Sequence, residues 1–367
     1  PKPLRTFFLL VLLTLLYVLV FPRPTGLEPL LEREWARALD DAAAAAAGGA
    51  GDGGEPVRVL PFRLGERFGY FSTDGRLHHV EQVRYGLAQD AGRFANYSVI
   101  SENIVLQDTD GGLLRSIAAV GYPHLDEGRL YVFAPDGSTV SEWTTDGERS
   151  WRRDFVSLVT DLDAANTRTV VGLLDGRVKL LGPDGDELFS YAAEGSRLRV
   201  VFSVAIGRDE DVLAAVAGVD PQKLILFEEH SEGFFPVFQL DLDSDYRRPV
   251  LLEFLRDGRS LVIEQPGGVL VYDRERESFG RIDLGGRVEA VSTLRELDLI
   301  LSTSRLATSR RDVSGSGGVR TMRATVRPDM VLFSQPVEAE HMFLHGTDSR
   351  IYFGFNGRLA CVELVRG

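Results

Sequence analysis

Six arginines crowd one segment of the chain, Arg305, Arg310, Arg311, Arg320, Arg323 and Arg327, with Asp312 as the acid between them. Guanidinium groups at this density favour anions, because their forked N–H donors match carboxylate and phosphate oxygens. Elsewhere the chain is acidic: 54 Asp and Glu stand against 41 Lys and Arg, a net charge of −13 spread along the sequence rather than gathered in a tail. That balance excludes a general nucleic-acid binder, since phosphate backbones would be repelled. The arginine segment therefore predicts a grip on an anionic partner: lipid headgroups, an envelope polymer or an acidic protein. The plain alternative is a solvated hairpin tip, ~15 residues longer than usual.

Other chemistry-bearing residues point to less. His341 and His345 share a face if they lie on a strand, and His78-His79 form a second pair, but neither has a third zinc ligand nearby. The run Asp241–Asp245 (DLDSD) sets three carboxylates at alternate positions, like the start of a calcium loop. Its sixth position is Tyr246, where glycine is needed, and its twelfth is Leu252, where glutamate is needed. Cys361 is the sole cysteine, so there is no intrachain disulfide and no cysteine metal cluster. Walker, Gly-x-Ser-x-Gly and HExxH patterns are absent. The sequence thus predicts no catalytic residue, no cofactor site and no metal site.

The elements that must position these residues are short strands. From Val57 onward β-rich runs alternate with Asp-Gly turns, which tolerate the positive φ of tight hairpins. Asp74, Asp110, Asp146 and Asp184 are spaced by 36, 36 and 38 residues. Segments superpose: RLYVFAPDG-STVSEWTTDG-ERSW from Arg129 matches TVVGLLDG-RVKLLGPDG-DELFSY from Thr169. Similar triplets begin at Asp211 and Arg259, and a further strand precedes each, as in SRLRVVFSVAI. Four short strands per ~36–46 residues predict an all-β propeller of about seven four-stranded blades, with six or eight as alternatives. In that frame Trp143 and Trp151 pack between blades rather than binding a ligand. "FSTDGRLHHVE" and "FGFNGRLACVE" show that the first and last modules share a build. An N-terminal strand, Val57 to Phe62, is expected to complete the last blade and remove its open edge.

The strand-DG-strand-DG-strand pattern, clearest in "TTDGERSW" and "GPDGDELFSY", resembles the quinoprotein-like repeat of pyrroloquinoline-quinone-type propellers. WD40 repeats are similar in period, but no Trp-Asp dipeptide ends a strand here. The resemblance implies the architecture of residues 65–365. Quinone-dependent members of that family carry adjacent cysteines, which this chain lacks. A periplasmic quinoprotein-like lipoprotein of outer-membrane assembly is the functional analogue that the resemblance suggests.

Four regions follow. Residues 1–26 hold the apolar run Phe7 to Phe21 behind Lys2 and Arg5, read as an uncleaved signal anchor. Residues 27–47 space Leu27, Leu31, Trp35 and Leu39 by four, read as a juxtamembrane helix. Residues 48–55 are a Gly-rich linker, and 56–367 form the propeller. Together they predict a non-enzymatic scaffold on the outer side of the cytoplasmic membrane, binding envelope or membrane proteins. The alternative is an enzyme or sensor that holds a small ligand, a quinone included, in the central channel.

Overall fold

The computed structural model describes residues 29–41, 57–99, 102–255, 258–284, 288–293, 299–305, 319–326, 330–347 and 349–366. The apolar run 7–21 and the Gly-rich stretch 48–55 lie outside them.

Four-stranded antiparallel sheets, each an up-and-down meander, make up the fold, and among the described residues seven are complete, as the repeats imply. We number the sheets as blades in chain order. Blade 3 illustrates the build, with an inner strand Tyr122–Asp126, then Arg129–Phe133, Thr139–Trp143 and an outer strand Arg149–Asp154. The triplets read from the sequence are the second, third and outer strands of blades 3 to 6. The second strand of blade 5, Val212–Val219, is buried at every position, which explains its unbroken apolar run.

One further sheet, blade 1, has three strands: Val59–Leu64, Arg67–Ser72 and Leu77–Gln82. These are a second, third and outer strand. The Asp74-Gly75 turn closes with a Ser72 N–H to Arg76 O bond of 2.8 Å. The third-to-outer turns of blades 3 and 4 close in the same way, Thr144 to Glu148 and Gly182 to Asp186. Residues 42–56 lie outside the described residues.

Each blade buries one face on the next, as stacked repeats must. Phe68, Tyr70 and Phe94 join blades 1 and 2; Ile117 and Leu130 belong to the core between 2 and 3; Trp151 and Leu181 to that between 3 and 4. The series continues through blade 6 onto Val288 of blade 7. Ser292 Oγ accepts the Gly346 N–H (3.0 Å) between blades 7 and 8. Phe62 and Phe71 of blade 1 pack with Tyr352 and Leu359 of blade 8, closing the ring.

Closure comes from an N-terminal strand, but not from the one expected. Val59–Leu64 stays within blade 1, and Pro29–Ala38 pairs antiparallel with Arg358–Arg366 as the outer strand of blade 8. The juxtamembrane helix is therefore corrected to a strand over these residues. Residues spaced by four share a face in a regular strand as well as in a helix, so the spacing of Leu31, Trp35 and Leu39 could not decide between them; in the strand itself a bulge between Arg33 and Trp35 shifts the register. Pairing with the last blade, which places Trp35 opposite Cys361, overrides the helix preference of Leu, Glu and Ala. Leu39 then caps the strand, its N–H donating to Gly357 O at 2.9 Å.

Candidate functional site

The meander gives the ring two faces. The first-to-second and third-to-outer turns lie at one end of every blade, here the upper face. The second-to-third turns and the links between blades lie at the lower face.

At the upper face the inner strands of blades 3 to 6 end around a cavity of about 520 Å³. The inner strands of blades 4, 5 and 6 are Val159–Ala164, Leu198–Ile206 and Leu252–Phe254. Asp126, Asp163, Glu253 and Arg208 contribute charged groups to its wall. Three carboxylates also tie neighbouring inner strands together. Asp126 Oδ2 accepts the Ala164 N–H, Asp161 Oδ2 the Val204 N–H and Asp163 Oδ2 the Ile206 N–H, each at 2.8 Å. Every bond thus reaches from one blade to the next.

Burial governs the titration of this group. It raises the Asp161 carboxyl to about 6, against the lowering effect of the Val204 N–H. Asp163 lies well above the ordinary carboxylate range, through burial first and then the neighbouring Asp126 charge. Burial likewise raises Asp126 and lowers the adjacent His124, which Asp126 partly counters. Chemically the site is an acidic mouth whose carboxylates serve as interblade clamps.

A second regularity runs along the same face from blade 2 to blade 5. Arg93, Arg129 and Arg168 begin or immediately precede second strands and reach the upper turn of the following blade. Arg93 donates to Gly128 O (2.5 Å), Arg129 to Arg168 O (2.9 Å) and Arg168 to Glu210 O (3.0 Å). Arg129 also holds Glu142 at 2.6 Å, and Arg168 holds Glu229 at 2.8 Å.

The structure scatters the residues singled out from the sequence. Arg305 ends the second strand of blade 7, Leu299–Arg305, directly opposite Arg320 in the third strand, Val319–Val326. Arg323 lies in that same strand, opposite Ser302. Half of the arginines thus occupy paired strand positions rather than one long loop, while Arg310, Arg311 and Arg327 lie outside the described residues. His78 Nδ1 meets Asp110 Oδ1 at 3.0 Å, whereas His79 stacks on Phe94 with centroids 5.1 Å apart. His341 lies against Gly65, and His345 sits within the inner strand of blade 8, Met342–Thr347. Asp241 pairs with Lys223 at 3.6 Å. Among the described residues no three His, Cys, Asp or Glu side chains group around a possible metal position. Trp151 is buried between blades 3 and 4, and Trp143 packs at the junction of blades 2 and 3, as expected.

The channel carboxylates were missed, although a signal existed. Asp90, Asp126 and Asp163 recur at the blade period of 36 and 37 residues, each just before an upper turn.

A ring of antiparallel four-stranded meanders stacked face to face and closed by an N-terminal strand defines a β-propeller. The family model described as beta-propeller protein matches residues 2–367, and the chain belongs to that family. A protein of Treponema pallidum (strain Nichols), named only as an uncharacterized protein, is 29% identical over 273 residues, 72% of each chain. The crystal structure of BamB from Moraxella catarrhalis is similar, with a TM-score of 0.52 at 12% identity over 91% of this chain and 98% of that one. That likeness is one of fold.

Proposed function

We propose that the protein is a non-enzymatic scaffold, anchored to the cytoplasmic membrane by its N-terminal apolar segment, with the propeller outside the cytoplasm binding envelope proteins. The observation that carries this reading is the place of Pro29–Ala38 in blade 8. Seven residues, 22–28, separate Phe21 from Pro29, and seven residues reach at most roughly 25 Å. An anchor at 7–21 therefore holds the rigid ring close to the bilayer, with the upper rim of blade 8, where the strand begins, nearest to it. The fold shared with BamB, an all-β ring suited to presenting loops on two faces, adds support.

The arginines fit the same role. Arg305 and Arg320 are directly opposed in register, a pairing of like residue types that sheets disfavour on their own. The end of that strand pair at Arg305 and Arg320 lies at the lower face, opposite the end where Pro29 enters. Its partner is accordingly an envelope polymer or acidic protein rather than the lipid of the anchoring membrane.

Fractionation tests the reading. The full chain should stay with membranes through an alkaline wash, and protease added outside the cytoplasmic membrane should reach the propeller. Release by the wash, or protection of the propeller, contradicts it. A second reading, a small ligand held in the channel, is favoured by the cavity of about 520 Å³ between the inner strands. Quinone with calcium, added anaerobically and followed by absorbance and dye reduction, checks it: reduced dye would replace the scaffold by an enzyme.

A further inference from the structure

The two faces of the ring differ in what they expose. Across blades 2 to 5 the upper turns are short and charged, such as Glu127-Gly128, Asp146-Gly147, Asp184-Gly185 and Asp209–Asp211. Leu113 and Leu114 of blade 2 and Leu188 of blade 4, exposed large hydrophobic residues near these turns, lie at the start of outer strands in separate blades. On the lower face of the same blades, Val156 is 94% exposed, and Tyr85, Val120, Leu158, Leu174 and Leu198 are 43–56% exposed.

Four of these residues form one patch across blades 3, 4 and 5. Val156 and Leu158 lie in the link from blade 3 to blade 4. The Leu174 N–H, in the lower turn of blade 4, donates to Leu158 O at 2.9 Å. The backbone of Arg199, beside Leu198, lies so close to Gly176 that a Cβ there would meet it within 3.1–3.3 Å. Exposed apolar residues are ordinary when scattered; gathered on one face they mark an interaction surface.

Charge tells what covers it. Most arginines of this face are paired, Arg84 with Glu81 (3.4 Å), Arg177 with Asp175 (3.2 Å) and Arg197 with Asp220 (2.6 Å), whereas Arg199 beside Leu198 and Arg247 in the link to blade 6 are exposed and form no ion pair among the described residues. Glu102, Asp136, Glu194, Asp243 and Asp245 are likewise exposed and form no ion pair among the described residues. Unpaired carboxylates thus outnumber unpaired arginines, and the net uncompensated charge of this face is negative. Such a rim repels anionic lipid and a second copy of this acidic chain, and it attracts basic side chains.

We propose that the lower face of blades 3 to 5 docks a partner-protein segment that presents aliphatic side chains between lysines or arginines. This rests on the scaffold reading and names its partner surface. The aliphatic contacts supply affinity as they leave water, and the unpaired carboxylates select basic flanks and set the register.

The probe is a fluorescent peptide of alternating leucine and serine with lysines at both ends, titrated onto the full chain in phosphatidylcholine nanodiscs, with empty nanodiscs as the blank. Saturable binding is expected, weakened about tenfold or more in Val156→Asp/Leu174→Asp. Asp136→Lys/Glu194→Lys should weaken it too and favour the same peptide with glutamate ends. Asp146→Lys/Asp184→Lys, on the upper face, should leave it unchanged, and circular dichroism shows whether each variant keeps the fold. Equal binding by parent and lower-face variants overturns the proposal. So does a parent that instead binds anionic vesicles or dimerises through the patch in ultracentrifugation. Because the titration does not read membrane retention or sidedness, a failed fractionation and a failed docking surface remain separate results.

Discussion

Two joints of the ring make the same contact with different side chains. Where blade 8 meets blade 1, Trp35 of the closing strand covers Gly75, so near that a Cβ on the glycine would lie 2.7 Å from the indole. Where blade 1 meets blade 2, the outer strand offers His79 to Gly111, with the ring 2.8 Å from the same imagined atom. Trp151 on Gly185 repeats the tryptophan version between blades 3 and 4, again at 2.7 Å. At these three joints the shared feature is an outer-strand ring laid on a positive-φ glycine of the next blade, whereas Gly147 of blade 3 meets Arg115 and Ile117 instead. The imidazole covers less than the indole. Beside the histidine joint a groove of about 330 Å³ remains, lined by Gly111, Val105 and Leu113, and Leu113 is left 70% exposed. A tryptophan seals the joint, whereas a histidine leaves it part open.

Truncation should break this comparison most visibly. Trp151→Ala and Trp35→Ala should each cost about 3–5 kcal/mol, the range for large aromatic deletions in a core. His79→Ala should cost about 1 kcal/mol, mostly its stacking on Phe94. Urea midpoints on the three variants check the ranking, and a His79 variant as damaging as Trp35→Ala would end the distinction.

The glycines sharpen it. Gly147 and Gly185 both have positive φ, 82° and 75°. A side chain on Gly147 meets its nearest atoms at 3.6 Å, but one on Gly185 meets Trp151. Gly147→Val should cost about 1 kcal/mol from backbone strain alone, and Gly185→Val about 2–3 kcal/mol because the indole must also move. Equal losses would mean that Trp151 does not close that joint.

The effect at the channel, where neighbouring blades meet through carboxylates instead of rings, depends on pH. The folded carboxyl of Asp161, at about 6, lies above its unfolded value. Its contribution to stability is fully present below the unfolded pKa, near pH 4, and is lost as pH rises through about 6. Asp161→Asn keeps an acceptor for the Val204 N–H and removes the charge. It should therefore be more stable than the parent by about 1–2 kcal/mol at pH 7.5, with the difference vanishing near pH 4. A constant difference across that range would show that the carboxylate is not the titrating group.

These joints also show what a sequence displays and what it hides. Asp-Gly spacing was legible because a tight turn needs a residue that accepts positive φ, and glycines 111, 147 and 185 all adopt it. The strand triplets were legible because each lies between two such turns. The closing strand was not, since Leu31, Trp35 and Leu39 satisfy helix and strand alike until their partner is known. Asp161 and Asp163 alternate in TDLDA as solvent-facing acids would, and only the neighbouring blade buries them. The arginine segment read as a single loop because Arg320 and Arg323 reveal no strand until paired with Arg305 and Ser302.

Ring closure by residues 29–38 underlies the whole account, because it ties the apolar N-terminal segment to the propeller. Glu32 and Glu363 are directly opposed in that pairing, at a separation that a disulfide spans. Full-length Glu32→Cys/Glu363→Cys should oxidise to an intrachain bond, seen as a faster band without dimer and mapped by peptide mass to those two positions. Failure to form that bond, with amides 29–38 exchanging within seconds, would contradict closure by the N-terminal strand.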